Sequence, residues 1–375
     1  MARGTKTLMA MSQLKTLPEQ AGQLLIMGFD GTELTAKLRS TLSAIQPGGI
    51  ILFARNIVEP HQTWELLRDC QKCVRTPLFM CVDMEGGTVD RLKDIIAPAP
   101  AAADVFATRS KKAFRLHGRV IGEEVCALGF NVDFAPVSDL AFAPSRAILT
   151  SRTVSDDPKV TVTYVREFLH GLRDKRVLGC GKHFPGLGEA KLDTHKKLPE
   201  IKKSMKALWN EDLVPYRELH RDFPFVMIAH AAYPDAVKEK LPASLSKKWL
   251  TDILRKKIGY KGIILSDDLE MGGVLAAASI GDAAVGTIRA GSDMYLVCRK
   301  DDYVWDSFEA VLGAAQRDRR FATRVAESAA RVVTIKKKYG VGSRRVSAPN
   351  DKVVKKLRAS LWEFAEDIRL TTASM

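Results

Sequence analysis

The chain has 375 residues, 46% of them hydrophobic and 27% charged, with Lys+Arg 58 against Asp+Glu 44 and a formal net charge of +14. This composition supports a large core and excludes wholesale disorder, and no run reaches the ~20 apolar residues that a membrane helix needs. The opening MARGTKTLMAMSQLK lacks a sustained apolar core and a small-residue cleavage site, so no secretory signal is read and the cytoplasm is the expected compartment.

A basic balance favours anionic partners: nucleic acid, a membrane surface or a charged small substrate. The basic stretches Lys202, Lys203, Lys206 and Arg255, Lys256, Lys257, Lys261 carry no interleaved aromatics and belong to no nucleic-acid module. They read as solvated surface, and neither a nucleic-acid nor a membrane partner is expected. The six cysteines are Cys70, Cys73, Cys81, Cys126, Cys180 and Cys298. The CxxC spacing of Cys70 and Cys73 has no second pair, so the set reads as reduced and mostly buried rather than metal-binding.

After a tail over residues 1–15, short apolar runs alternate with longer segments of helical period. Strands are predicted over Gln23–Phe29, Gly49–Phe53, Leu78–Asp83, Val132–Pro136, Val177–Phe184, Phe225–His230, Gly262–Asp267 and Asp293–Val297. Helices are predicted between them, among others over Thr63–Val74, Val160–Leu172, Ile201–His220 and Ser246–Ile258, the last with a serine cap. Several strand candidates are apolar on consecutive positions, the mark of a parallel sheet covered by helices. Right-handed crossovers repeated about eight times close into a barrel. The expected fold is a single α/β unit, a (β/α)8 TIM-type barrel over residues 16–340. A C-terminal extension, 341–375, carries one amphipathic stretch, Lys352–Ile368.

Polar residues gather at the C-terminal ends of the predicted strands, the edge that carries the chemistry in such a barrel. In Ile264-Leu-Ser-Asp267-Asp268-Leu, a strand delivers a carboxylate to the mouth. It suits a nucleophile or a stabiliser of a cationic transition state, and equally the cap of a following helix. Gly181-Lys182-His183-Phe-Pro-Gly-Leu-Gly-Glu189 runs from a strand into a loop that bears Asp193 and, two residues on, His195. A carboxylate beside an imidazole can orient it for proton transfer; a solvated histidine with an unrelated acidic neighbour has the same spacing. In Asp83-Met-Glu-Gly-Gly-Thr-Val-Asp-Arg91 the glycines permit close approach of a ligand. Asp83 and Arg91 could bind sugar-like hydroxyls there or form only a surface ion pair.

The combination of VDMEGGTVDRL, GKHFPGLGEAKLDTHKKLP, AHAAYP, PASLS and ILSDDLEMGGV resembles glycoside hydrolase family 3, and within it the bacterial β-N-acetylglucosaminidase branch, from about Gln20 to about Gly340. The resemblance implies Asp267 as nucleophile, His195 as acid/base and Asp193 as its dyad partner. It implies Asp83, Arg91, Arg152, Lys182 and His183 as residues that bind the N-acetylglucosamine ring. His230 and Met271 lie in matching segments without an assigned role. Leu187 stands where the family's loop has a histidine, and Thr88 where its glycine turn continues with arginine. Adjacent residues on a regular strand point opposite ways, so Lys182 and His183 can share one sugar only if the backbone is irregular there.

The implied reaction is two-step retaining hydrolysis of a small carbohydrate, with no metal and no cofactor. An imidazole in place of the usual carboxylate does not repel an anionic aglycone, as in muramic-acid-containing fragments of the cell wall. Two other readings stay open: a family β-glucosidase or glycoside phosphorylase of different specificity, and a barrel that binds sugar or nucleic acid without turnover.

Overall fold

The structure, a computed structural model, describes residues 14, 16–190, 198–276, 278–343 and 346–374. Its centre is a sheet of eight strands: β1 (Leu25–Met27), β2 (Gly49–Ile51), β3 (Phe79–Val82), β4 (Val132–Asp133), β5 (Cys180–Phe184), β6 (Phe225–Ile228), β7 (Ile263–Asp268) and β8 (Met294–Val297). Neighbours pair in parallel in the order β4-β3-β2-β1-β8-β7-β6-β5. The two end strands meet through the bridge Val132–Leu178, where Asp133 N donates to Leu178 O at 2.9 Å and Cys180 N to Ala135 O at 2.7 Å. The sheet is therefore a closed (β/α)8-type barrel. Seven of the strands are shorter than the predicted runs, and β7 keeps the predicted length, shifted by one residue.

The strands are apolar on consecutive positions because each face has its own core. Ile26, Ile51, Phe79, Cys81, Val132, Cys180, Phe225, Ile263, Leu265, Met294 and Leu296 fill the barrel lumen. The residues between them, such as Leu25, Ile50, Met80, Val226, Ile264 and Tyr295, join the core under the helices. This is period-two alternation with both faces dry. Helices cover the outside, among them Pro60–Lys72, Lys111–Ala127, Pro158–Asp174 and Ile280–Ala290. Ser110, Asp157 and Ser279 cap their first turns by accepting from backbone N–H groups.

Two predicted helices depart from expectation. The Ile201–His220 pattern resolves into Met205–Asn210 and Val214–Glu218. Glu211 breaks the first (φ −126°, ψ −92°), Pro215 sits in the opening turn of the second, and Asp212 turns inward to Lys203 at 2.6 Å. The segment Lys248–Lys257 is wound with i→i+5 bonds, and Ser246 Oγ accepts from Trp249 N at 3.4 Å. None of these helices is long and apolar enough to cross a membrane.

The solvated reading of the basic stretches fails for two of their members. Lys203 is 6% exposed and paired with Asp212 and Glu211. Arg255 reaches Asp293 at 2.5 Å, beneath the lower end of β8. Asp293 is fully buried, also pairs with Arg324 at 3.1 Å and with Arg331, and accepts from Ile264 N at 3.0 Å. Burial alone would raise its pKa, but the three guanidinium groups hold it well below the ordinary carboxylate value. The helix Arg319–Tyr339 closes the floor of the lumen with Val332 and Ile335. Beside them Lys336 Nζ donates to Gln23 Oε1 at 2.9 Å and lies 5.0 Å from the Phe79 ring centroid.

Asp293→Ala strands three cations and one backbone amide. It is expected to lower the free energy of unfolding by about 3–5 kcal/mol, measured by urea denaturation at neutral pH. Because the folded pKa is depressed, the wild type's advantage over the variant is full above the ordinary carboxylate range and shrinks as the pH falls below it.

Candidate active site

The alternation that fills the lumen also aims the polar residues above it. Phe79 and Cys81 point inward on β3, and two residues on comes Asp83; Ile263 and Leu265 do the same on β7, and two residues on comes Asp267. On β5 the inward Cys180 is followed by Lys182. Three of the residues singled out by sequence thus arrive at one mouth by simple strand geometry.

After Asp83 the chain folds into a small hairpin of Met84–Gly86 against Val89–Asp90. Its turn uses Gly86 at φ +81° and Gly87 at φ +59°. A Cβ on Gly86 would lie 2.1 Å from Pro100 O, so no other residue fits. Asp90 ties the hairpin down by accepting from Leu92 N at 2.9 Å and Ala99 N at 2.8 Å. This places Glu85, which sequence did not single out, at the centre of an ion network. Its carboxylate takes a two-pronged contact from Arg152 (Nε 2.7 Å, Nη2 2.9 Å) and one from Lys182 Nζ at 2.5 Å. Lys182 also donates to Asp83 Oδ1 at 2.9 Å. Burial works against ionisation of Glu85, yet Arg152 and Lys182 hold its pKa far below the usual range. Burial likewise opposes a charged Lys182, and Asp83 and Glu85 overcome it, keeping the ammonium protonated. Arg91 stands apart from this network. Its guanidinium lies 5.8 Å from the Phe53 ring centroid, and its Nε is buried without a partner among the described residues.

The expected irregularity at Lys182–His183 is present. The pairing register of β5 with β6 shifts between Gly181 and Phe184, and the Lys182–His183 peptide is cis. His183 reaches Asp139, with Nδ1 2.7 Å from Oδ2. The following turn is fastened by Leu187 N to Asp139 Oδ1 at 2.7 Å and by Tyr233 Oη donating to Gly186 O at 2.7 Å. Asp193 and His195 lie outside the described residues. On either side of their segment, Glu189 is 3.4 Å from Lys203, and Ile201 N donates to Ala232 O at 2.8 Å.

The acidic doublet divides by environment. Asp267 is half-buried, and its Oδ1 accepts from Asp268 N at 2.8 Å. Burial pushes its pKa up, but His183 and His230, with that amide and Lys182, hold it below the ordinary value. Asp268 instead closes the turn, its Oδ1 accepting from Glu270 N at 3.1 Å and from Cys298 N at 3.2 Å. Burial and the nearby Glu270 and Asp267 push Asp268 up to about 7. His230 is fully buried, with Nδ1 2.7 Å from Ser244 Oγ and Nε2 3.0 Å from Asp268 O. Met271 is buried and precedes the short helix Gly272–Leu275. Glu85 and Asp139 carry weak sequence signals: the first lies inside the glycine-turn motif, and the second follows the β4 run by a few residues.

The pKa of Asp268 makes a prediction with a definite sign. The folded state keeps a proton that the unfolded chain releases, so this group's contribution to stability declines as the pH rises from about 4 through about 7. Asp268→Asn keeps the oxygen that accepts from Glu270 and Cys298. It is expected to remove that decline, so that the variant gains on the wild type between pH 5 and pH 8 in denaturant unfolding.

Residues 16–335 match the Glycosyl hydrolase family 3 N terminal domain. A Beta-hexosaminidase of Pseudomonas aeruginosa is 37% identical over 297 residues, covering 78% of this chain and 86% of that protein. Among solved structures, a glycoside hydrolase family 3 beta-N-acetylglucosaminidase from Paenibacillus sp. str. FPU-7 superposes with a TM-score of 0.89 at 30% identity, over 94% of this chain and 68% of that one. Beta-N-acetylhexosaminidase from Beutenbergia cavernae DSM 12333 superposes with a TM-score of 0.78 at 26% identity, over 86% and 98%. With a closed barrel, a charged mouth and these relatives, the chain belongs to glycosyl hydrolase family 3 and is a glycoside hydrolase.

Proposed function

We propose that this enzyme is a retaining β-N-acetylhexosaminidase that removes terminal β-linked N-acetylglucosamine. The observation that carries the reading is Asp267. It is a half-buried carboxylate at the lumen mouth, held ionised between His183 and His230. Among the described residues its hydrogen bond is made through Oδ1, from the Asp268 amide. An ionised oxygen free to approach an anomeric carbon is what a glycosyl-enzyme mechanism requires. The names of the relatives supply the sugar class.

In the proposed cycle Asp267 attacks the anomeric carbon while His195, oriented by Asp193, protonates the departing oxygen. The same imidazole then takes a proton from water as that water releases the sugar. Asp83, Arg91, Arg152, Lys182 and His183 bind the ring. Among the described residues Lys182 gives two of its three N–H groups, to Asp83 and Glu85, and Arg152 gives two of its five donors, to Glu85, which leaves further donors for a sugar. An imidazole acid/base and a net charge of +14 both suit an anionic aglycone, so the proposed natural substrates are muramic-acid-containing peptidoglycan fragments, consumed in cell-wall recycling in the cytoplasm.

Asp267→Ala is expected to lower kcat on a chromogenic β-N-acetylglucosaminide by on the order of 10⁴-fold or more. Activity near wild type would displace Asp267 as the nucleophile. Mass spectrometry after a 5-fluoro N-acetylglucosamine-type inactivator should find the label on Asp267. His195→Ala is expected to cost about 10²–10⁴-fold on substrates with poor leaving groups and much less on activated phenols. An equal loss on both would remove His195 from the acid role.

A further inference from the structure

Asp139 holds two neighbours at once. It is 1% exposed and lies in the chain that follows β4, next to the cis Ala135–Pro136 bond and the bridge from Val137 to Lys182. Its Oδ1 accepts from Leu187 N at 2.7 Å, while Oδ2 lies 2.7 Å from His183 Nδ1. The backbone N of His183 is 3.3 Å from both oxygens. Each oxygen thus has its own strong donor, one on the imidazole and one on the turn that leads into the segment of Asp193 and His195.

The chemistry of these donors fixes a proton. A carboxylate in its ionised form only accepts, and beside such a form the hydrogen between His183 and Asp139 sits on Nδ1. Among the described residues the ring's hydrogen bond is made through Nδ1, and the imidazole is one of the groups that act on the Asp267 carboxylate. An asparagine at 139 has one oxygen for two donors. The Leu187 amide cannot reverse its polarity, whereas the imidazole can, by moving its proton to Nε2.

We infer that Asp139 is a positioning residue that locks His183 as the Nδ1–H form and ties that form to the start of the loop after β5. The kinetic part of this inference rests on the proposed N-acetylhexosaminidase reading; the tautomer does not.

The test uses full-length protein labelled with 15N-histidine, with the His183 signals assigned through His183→Gln. In the wild type Nδ1 of His183 is expected to be protonated, and in Asp139→Asn that proton is expected on Nε2 alone. An unprotonated Nδ1 in the wild type overturns the inference, and this outcome does not depend on Asp139→Asn being folded. An unchanged Nδ1 proton in Asp139→Asn also overturns it. In kinetics on a β-N-acetylglucosaminide, Asp139→Asn is expected to lower kcat/KM by about tenfold or more. In a His183→Gln background the same change is expected to cost several-fold less, because the residue acts through the imidazole. An equal factor in both backgrounds shows a merely structural role. If the wild type releases no N-acetylglucosamine at all, the N-acetylhexosaminidase reading fails, and the tautomer measurement still decides the role of Asp139.

Discussion

The mouth of the barrel is organised around one buried carboxylate. Glu85 stands between Arg152 and Lys182, and Lys182 in turn spans to Asp83. Two negative and two positive groups therefore neutralise each other in a place where none could be buried alone. This balance sets the charge state of each side chain. Lys182 is held as an ammonium by Asp83 and Glu85, and Arg152 is held flat by a two-point contact. The glycine turn exists to deliver this acid: Gly86 and Gly87 allow the hairpin to fold back under Pro100 and Ala101, which brings Glu85 over the lumen.

The same principle separates Asp267 from Asp268. Neighbours in sequence, they differ in what surrounds them. One faces two imidazoles and stays ionised; the other is spent on backbone amides and favours its protonated form. His230 connects the pair, since it influences Asp267 while its own ring contacts the Asp268 carbonyl. A site of this kind needs few groups with unusual chemistry, because position along a strand and the sign of the nearest charge assign the roles.

Much of this was readable from residue order. The eight runs of Ile, Val, Leu and Phe announce the barrel, and the period-two alternation places Asp83, Lys182 and Asp267 on one rim. What escaped reading depends on contacts between residues far apart in the chain. Glu85 is ordinary in sequence and becomes central only when Arg152 and Lys182, 67 residues apart from it in the first case, close on it. Asp139 is visible only because β4 lies beside β5 in the closed barrel. Lys203 and Arg255 read as surface charges because a helical period does not show their partners; Asp212, nine residues from Lys203, and Asp293, 38 residues from Arg255, supply them. The helix predicted through Glu211 failed for a related reason, since its amphipathic period continued across a point where Pro215 and an inward-facing acid demand a break.

The helix Asp351–Ala373 bears on how the mouth comes to be built. Arg358 donates to the carbonyls of Ile95 and Ile96, both at 3.0 Å, across more than 260 residues of chain, and Phe364 packs on His117 behind the glycine hairpin. On a ribosome, those carbonyls leave the exit tunnel long before the arginine that satisfies them. The wall supporting the Glu85 hairpin is therefore completed only once some 260 further residues have been made, and a nascent chain stalled before Arg358 would carry a barrel whose β3 rim still lacks its outer brace.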